Sequence, residues 1–587
     1  MTKPVWLGLL LFTLLSYFQY PGHVYLESDT QIYLPMFERF EDPGRFARDP
    51  MVTRAHTAFT LYDELALTLR RLTGQDYELL LGALQALGRL ALLAGVFLIT
   101  RAMGLSETLA LVCAGVYGLG GRVNGPALLL VEYEPVPRAL ALGPVLLGVG
   151  LAAQRRYLAA GIAGAAGFLL HPATAAPFWA VFAVLLFVPD EPEEMKARLW
   201  GLLPLAAALA ALKAGAARQP GVSELQALWG RIDPAWEELI RLRASYVLVS
   251  EWSPVLYWQY IAMGALVAAA WWRLRQFLQP NLRFFLAGLG ALGLLSLPVS
   301  WLLMEKLKWA LLPQLQPARA ILMLQAFTLL AALVMAFELA CREKRWLAAG
   351  CWAAAGWSAG LEPRLLLALA PAAVGALLHR RLQATGLAAA VLIAWSKPFG
   401  LVFWKASLGR DLLIALALGA LLVAAAAVSL RRPVAGALAA TTVVAGAYYL
   451  IPGELRLRLS GQRPNPELAE LSRWARAETE PSAVFLFADA GRRLEPGVFR
   501  ARAGRALYVD WKGGGQINFF REYSRLWWTR WRQTMAEPFH SDRVPALSAL
   551  GIDYLVLTPK NRLPDGQPVW ENSRYLAYRL PSARQSP

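Results

Sequence analysis

Cysteine, histidine and charge are all scarce in this chain of 587 residues. The three cysteines, Cys113, Cys341 and Cys351, lie in or beside apolar runs, so they offer neither a disulfide framework nor metal-ligand spacing. The five histidines, His23, His56, His171, His379 and His540, show no metal spacing either. His23 and His56 share a segment with Glu27 and Asp29, and proximity is the whole case for a metal there. A nucleotide fingerprint is missing: Lys512-Gly-Gly-Gly515 lacks the second Gly-Lys-Ser/Thr element of a phosphate loop. These absences argue against a cytosolic nucleotide-sugar enzyme and against an ATP-driven transporter.

What the chain has in excess is apolar sequence. Hydrophobic residues make up 57% and charged ones 17%, with a mean hydropathy of +0.40. Runs of ~20 apolar residues are long enough to cross a bilayer, and in lipid they must be helical because no water satisfies a free backbone. The net charge of +17 would otherwise suggest nucleic acid. Here the cations recur in short loops after alternate spans, at Arg155-Arg156, Lys196 with Arg198, Arg273 with Arg275, Arg342 with Lys344-Arg345, Arg380-Arg381 and Arg431-Arg432. That is the positive-inside pattern, so no nucleic-acid partner is expected. It predicts a multi-pass protein of the inner (plasma) membrane with its N-terminus inside and membrane lipids as neighbours. Met1 to Tyr20 reads as a retained signal-anchor helix, since no small-x-small cleavage site follows.

The apolar runs predict about fifteen spans, roughly 13–15 with the weak Ala-rich stretch from Trp346 to Ser396. Outward-going ones start near Val5, Glu107, Leu158, Trp200, Phe284, Trp346, Gly386 and Val434. Inward-going ones start near Tyr77, Arg138, Thr174, Pro254, Arg319, Leu365 and Asp411. A membrane domain over 1–452 with outer loops 21–75 and 215–253 is expected, followed by an extracytoplasmic domain over 453–587. In the first loop, Thr30 to Phe40 has an apolar helical stripe suited to the membrane interface, and a second helical piece runs from Ala58 to Leu72. Pieces near Leu225 and Glu237 are expected in the other loop. Beyond Pro452, a helix at Pro466–Glu478 and strands at Ala483–Ala488, Ala506–Val509 and Tyr554–Leu557 predict a small α/β domain. A helix over Phe520–Met535 carries Trp527, Trp528 and Trp531, for headgroups or for the domain's core.

Polar residues that carry chemistry gather at the outer span edges. In Tyr25-Leu-Glu-Ser-Asp-Thr30, Asp29 lies one step beyond the first span beside Glu27. Transfer of a sugar from a lipid phosphate needs a base for the acceptor proton, not a protein nucleophile. Asp29 is either that base or a solvated loop carboxylate. In Val131-Glu-Tyr-Glu-Pro-Val-Pro-Arg138, Glu132 or Glu134 is a candidate to position an acceptor or hold a divalent cation through oxygen. Arg138 suits a phosphate, and a simple salt bridge is the alternative. Arg319, in Gln314-Leu-Gln-Pro-Ala-Arg319, either binds a phosphate through its planar fork or snorkels. His171, at the break His171-Pro-Ala-Thr174, either donates to a phosphate or is structural. No cofactor is required, although a divalent cation is allowed.

These motifs together resemble the GT-C superfamily of integral-membrane glycosyltransferases. The resemblance rests on the acidic first outer loop Glu27-Ser-Asp29-Thr-Gln-Ile-Tyr33, the helices after it, the second acidic loop Glu132-Tyr-Glu134 and the C-terminal domain. A closer resemblance is to uncharacterised bacterial glycosyltransferase-like proteins, through Leu471-Ser-Arg-Trp-Ala-Arg476, Phe499-Arg-Ala-Arg-Ala-Gly-Arg505, Tyr508-Val-Asp-Trp-Lys512, Leu550-Gly-Ile-Asp-Tyr-Leu-Val556 and Val569-Trp-Glu-Asn572. The GT-C resemblance implies a polyprenyl-phosphate sugar as donor, Asp29 as base and a glycan, lipid or protein acceptor. The chain departs from it in having Thr30 after Asp29 and no Trp-Trp-Asp motif. A transporter or flippase of lipid-linked glycans, or a non-catalytic scaffold, are the alternative functions. A transporter should carry its charges near mid-span, whereas here they gather at the outer edges.

Overall fold

The computed structural model describes residues 1–18, 22–54, 57–188, 192–218, 229–378 and 465–581, with isolated positions between 419 and 445. Within these residues the apolar runs form helices. Five are long and apolar enough to cross a membrane: Tyr77–Ala102, Glu194–Arg218, Pro254–Leu274, Pro280–Lys306 and Leu312–Cys341. Shorter apolar helices at Lys3–Leu15, Glu107–Gly118, Pro137–Ala153, Tyr157–Leu170, Pro172–Leu185 and Pro363–Leu377 pack among them, as does Trp346–Ser358. Spans expected near Gly386, Asp411 and Val434 lie outside the described residues or on its isolated positions, as do His56, His379, the piece near Leu225 and the boundary at Pro452.

Close helix packing sets the bundle. Helix Tyr77–Ala102 lies against Pro137–Ala153, and a Cβ on Gly143 would stand 2.2 Å from the Gly88 carbonyl oxygen. A Cβ on Gly95 would meet the Leu147 nitrogen at 2.5 Å. Small residues let the backbones approach, as membrane helix pairs require. Because the helices alternate in direction, Arg155-Arg156, Arg273, Arg275, Lys344 and Arg345 fall in connections at one end of the bundle. Asp29, Glu132, Arg138, His171 and Arg319 fall at the other.

Over that second end sits an α/β domain. Its five strands are β3 (Val484–Phe487), β4 (Ala506–Leu507), β5 (Tyr554–Leu557), β6 (Trp570–Glu571) and β7 (Leu576–Arg579), after a two-residue hairpin β1 (Arg122–Val123) and β2 (Leu128–Leu129) in the bundle. Their order is β4-β3-β5-β7-β6, with β3 parallel to β4 and β5, and β7 antiparallel to β5 and β6. The β6–β7 hairpin and the helix Glu495–Ala503 are additions to the sequence reading. The hairpin turn had a signal: Asn572 Oδ1 accepts the backbone N–H groups of Arg574 and Tyr575, both at 3.0 Å, the side-chain turn that Asn favours.

Helix Thr30–Glu41 corrects one expectation. It is amphipathic, but both of its faces are covered instead of one lying on headgroups. Leu34 and Phe37 join Tyr62, Phe485 and Phe499, while Ile32 and Met36 join Met51, Val484 and Leu486. Full burial of each such side chain is worth about 1.5–3 kcal/mol, so the first loop is the domain's floor. Gly497 lies so close to Gln31 that a Cβ would overlap the amide. The tryptophans of helix Arg521–Thr534 fill the core: Trp527 and Trp531 are buried, and Trp527 Nε1 donates to the Asp510 carbonyl at 2.9 Å.

Candidate functional site

The first loop presents Asp29 by an unusual division of labour. Asp29 precedes helix Thr30–Glu41, where its side chain would ordinarily cap the first turn, yet it makes no such bond. Glu134 takes that duty, accepting the Ser28 N–H at 2.6 Å and the Thr30 N–H at 3.0 Å. Asp29 is thereby free to turn inward. Its Oδ2 lies 2.5 Å from Arg138 Nη1 and its Oδ1 2.7 Å from Lys512 Nζ. The Arg138 fork also takes Glu132, from Nε at 2.8 Å and from Nη2 at 3.3 Å.

The Glu132 loop is itself pinned from below. Arg89, buried within helix Tyr77–Ala102, donates to the Ser16 carbonyl at 2.7 Å and to the Glu132 carbonyl at 3.0 Å. Gln85 reaches the same carbonyl at 3.3 Å. Arg89 is a charge inside a span, met by these carbonyls, by the Ser16 hydroxyl at 3.3 Å and by the Tyr17 ring 4.1 Å from its guanidinium carbon. Tyr62 donates its hydroxyl to the Pro135 carbonyl.

Burial alone would raise Asp29, but the Lys512 and Arg138 charges outweigh it and hold the carboxyl well below its ordinary value. Glu134 shifts the other way: burial, then the Asp29 charge, push it up to about 7 against the N–H groups that it accepts. Two neighbouring acids thus sit on opposite sides of their usual range.

Asp29 faces a cavity of about 880 Å³ at the junction of bundle and domain. Glu132, Arg138, His171 and Arg319 line it too, so five of the seven residues singled out in the sequence converge there. Glu27 does not line it, and Glu134 stands behind Asp29 as the loop's cap. His171 Nδ1 accepts the Thr174 N–H at 3.2 Å, so it caps helix Pro172–Leu185 at the cavity wall. Buried Arg319 Nε finds no hydrogen-bond partner among the described residues.

Sequence reasoning missed Lys512 and the cations Arg122, Lys213 and Arg243 on the same wall. Six cationic side chains therefore face two carboxylates, a balance that attracts an anion. The remaining lining is apolar, including Ile32, Phe168, Leu209, Leu212 and Phe519. Leu209 is exposed as well as cavity-lining. Glu132 and Glu134 already engage Arg138 and backbone N–H groups, so a divalent cation bound there would displace those partners. Among the described residues no three His, Cys, Asp or Glu side chains cluster as metal ligands.

The structure thus sets a helical bundle with an acidic first loop beneath a C-terminal α/β domain. No protein-family profile and no curated protein matches the chain. Among solved structures, it is similar to ArnT from Cupriavidus metallidurans, at 12% identity and a TM-score of 0.39, covering 98% of this chain and 97% of that one. It is also similar to the Archaeoglobus fulgidus oligosaccharyltransferase tethered with an acceptor peptide, at 11% identity and a TM-score of 0.40, covering 95% of this chain and 69% of the other. A second structure of that oligosaccharyltransferase, in complex with Zn and sulfate, gives 14% identity and a TM-score of 0.32 over 94% of this chain and 68% of the other.

Proposed function

We propose that the protein transfers a sugar from a polyprenyl-phosphate donor to an acceptor at the extracytoplasmic face of the inner membrane. The observation that carries this reading is the cavity itself, where a cation-rich floor around Asp29 adjoins an apolar wall. A lipid phosphate has both chemistries, a charged head for Arg138 and Arg319 and a chain for the wall beside Leu209 and Leu212. The basic connections gather at the opposite end of the bundle, which supports an outward-facing site under the positive-inside rule.

In the reaction, an acceptor hydroxyl or amide attacks the anomeric carbon. The new bond forms from the acceptor's lone pair while the bond from that carbon to the phosphate oxygen breaks. The electron pair leaves with the phosphate, where Arg138 and Arg319 neutralise it, and Asp29 takes the acceptor proton as base. The test is transfer from a polyprenyl-phosphate sugar by the purified full chain in lipid nanodiscs. A wild type that transfers from no such donor defeats the enzyme reading and leaves transport or scaffolding.

A further inference from the structure

Lys512 belongs to the C-terminal domain, yet its side chain is mostly buried against the first loop, with 14% exposed. Its backbone turn is held on every side. Asp510 Oδ2 accepts the Gly513 N–H at 3.0 Å, and Asp510 Oδ1 lies 2.5 Å from Arg500 Nη2. Tyr523 donates its hydroxyl to the Gly513 carbonyl at 2.9 Å, and Arg243 Nε donates to the Trp511 carbonyl at 2.9 Å. A buried lysine on so fixed a turn is aimed, and its target is Asp29. Arg138 approaches the same carboxylate from the bundle, through its other oxygen. Two cations from separate parts of the chain thus converge on one carboxylate, in the geometry with which cations grip two oxygens of a phosphate.

We infer that Lys512 is a phosphate ligand, and that a lipid phosphate and the Asp29 carboxylate compete for the same two cations, Lys512 and Arg138. This rests on the reading of the cavity as a lipid-phosphate site. The exchange couples two events. While both cations hold Asp29, its affinity for a proton is low and it is a poor base. A phosphate that draws them away leaves the carboxylate beside fewer positive charges and able to accept the acceptor's proton. The base is thus switched on by the donor, and water reaching the cavity without a donor meets a carboxylate that is already neutralised.

Substitutions at Asp29 and Lys512, two residues in contact, should change phosphate binding in opposite directions. Binding of dodecyl phosphate and of inorganic phosphate to the detergent-solubilised full chain is measured by calorimetry, beside a thermal melt of each variant. Asp29→Asn removes the competitor and should tighten dodecyl phosphate binding by about tenfold, whereas Lys512→Met should weaken it by about tenfold or more. Lys512→Arg keeps a cation and should stay within a few-fold of the wild type, which separates lost charge from lost folding. Equal ordering with inorganic phosphate shows that the headgroup alone drives the exchange; the same ordering with dodecyl phosphate alone shows that the chain must be anchored. Asp29→Asn binding no tighter than the wild type, or a folded Lys512→Met binding equally well, overturns the inference. If the ordering holds but no lipid-linked sugar is transferred, the exchange stands and the transfer reading falls. If the wild type binds neither probe, both fall.

Discussion

Asp29 Oδ1 and Lys512 Nζ meet at 2.7 Å across 483 positions of sequence. That ion pair makes the C-terminal domain part of the site's wall, not an appendage, and it changes what substitutions at the site should do.

Asp29→Asn should lower sugar transfer by on the order of a hundredfold or more, because an amide accepts no proton as a base. A surface loop carboxylate would be nearly neutral for stability, but Asp29 bridges two cations, so the same variant should also lose about 1–3 kcal/mol. Transfer assays and melts of one preparation check both. Full transfer by the variant would pass the base role to another residue.

Arg500 is the buried centre of the domain's junction with the first loop. Its guanidinium lies 3.3 Å from Asp49 Oδ2 and 2.5 Å from Asp510 Oδ1. Arg500→Met leaves two buried carboxylates without their counter-charge and should cost about 3–5 kcal/mol. Adding Asp49→Asn and Asp510→Asn should recover part of that loss. Denaturant melts of the three variants measure it, and an unchanged midpoint for Arg500→Met would refute the role.

Glu134 gives the pH dependence. Its folded value near 7 lies above its ordinary one of 4.5. The stability it contributes is therefore complete below about pH 4.5 and is lost as pH rises through about 7. The gap in melting temperature between wild type and Glu134→Gln should move against the wild type across that window and level off above it. A gap that does not vary between pH 4.5 and 8 would show that burial does not control this carboxyl.

Gly143 tests whether bundle packing positions the site. A side chain there meets the Gly88 carbonyl oxygen, and Arg138 stands on the first turn of the same helix. Gly143→Val should cost about 1–3 kcal/mol through overpacking and should lower transfer, by carrying Arg138 off Asp29. A variant that melts lower but transfers normally would separate packing from positioning.

Much of the bundle was legible because apolar runs have a helix-only solution in lipid. Starts such as Tyr77, Glu107, Pro254 and Trp346 fall where the runs begin. The convergence of Asp29, Arg138 and Arg319 was legible in outline, since alternating spans carry their polar edges to one end. Lys512 was not. Its Lys-Gly-Gly-Gly setting shares only a fragment with a nucleotide loop, whereas its ion pair with Asp29 is set by tertiary structure. Helix Thr30–Glu41 misled for a related reason: an apolar stripe records that something covers it, and here the cover is Phe485, Phe499 and Val484, not lipid. Glu134 looked like a ligand because nothing local reveals that it caps a helix a hundred residues earlier.

The Asp510–Gly513 turn that carries Lys512 is made late in synthesis. A chain emerging from the ribosome carries Asp29, Arg138 and Arg319 at the ends of its early helices long before Lys512 is made. Closing so long a loop costs little more than closing a moderate one, but it cannot begin until the domain itself can fold. Through most of translation the nascent protein is a membrane bundle with an unfinished charge balance at its mouth. The Lys512 contact with Asp29 arrives only with the last quarter of the chain.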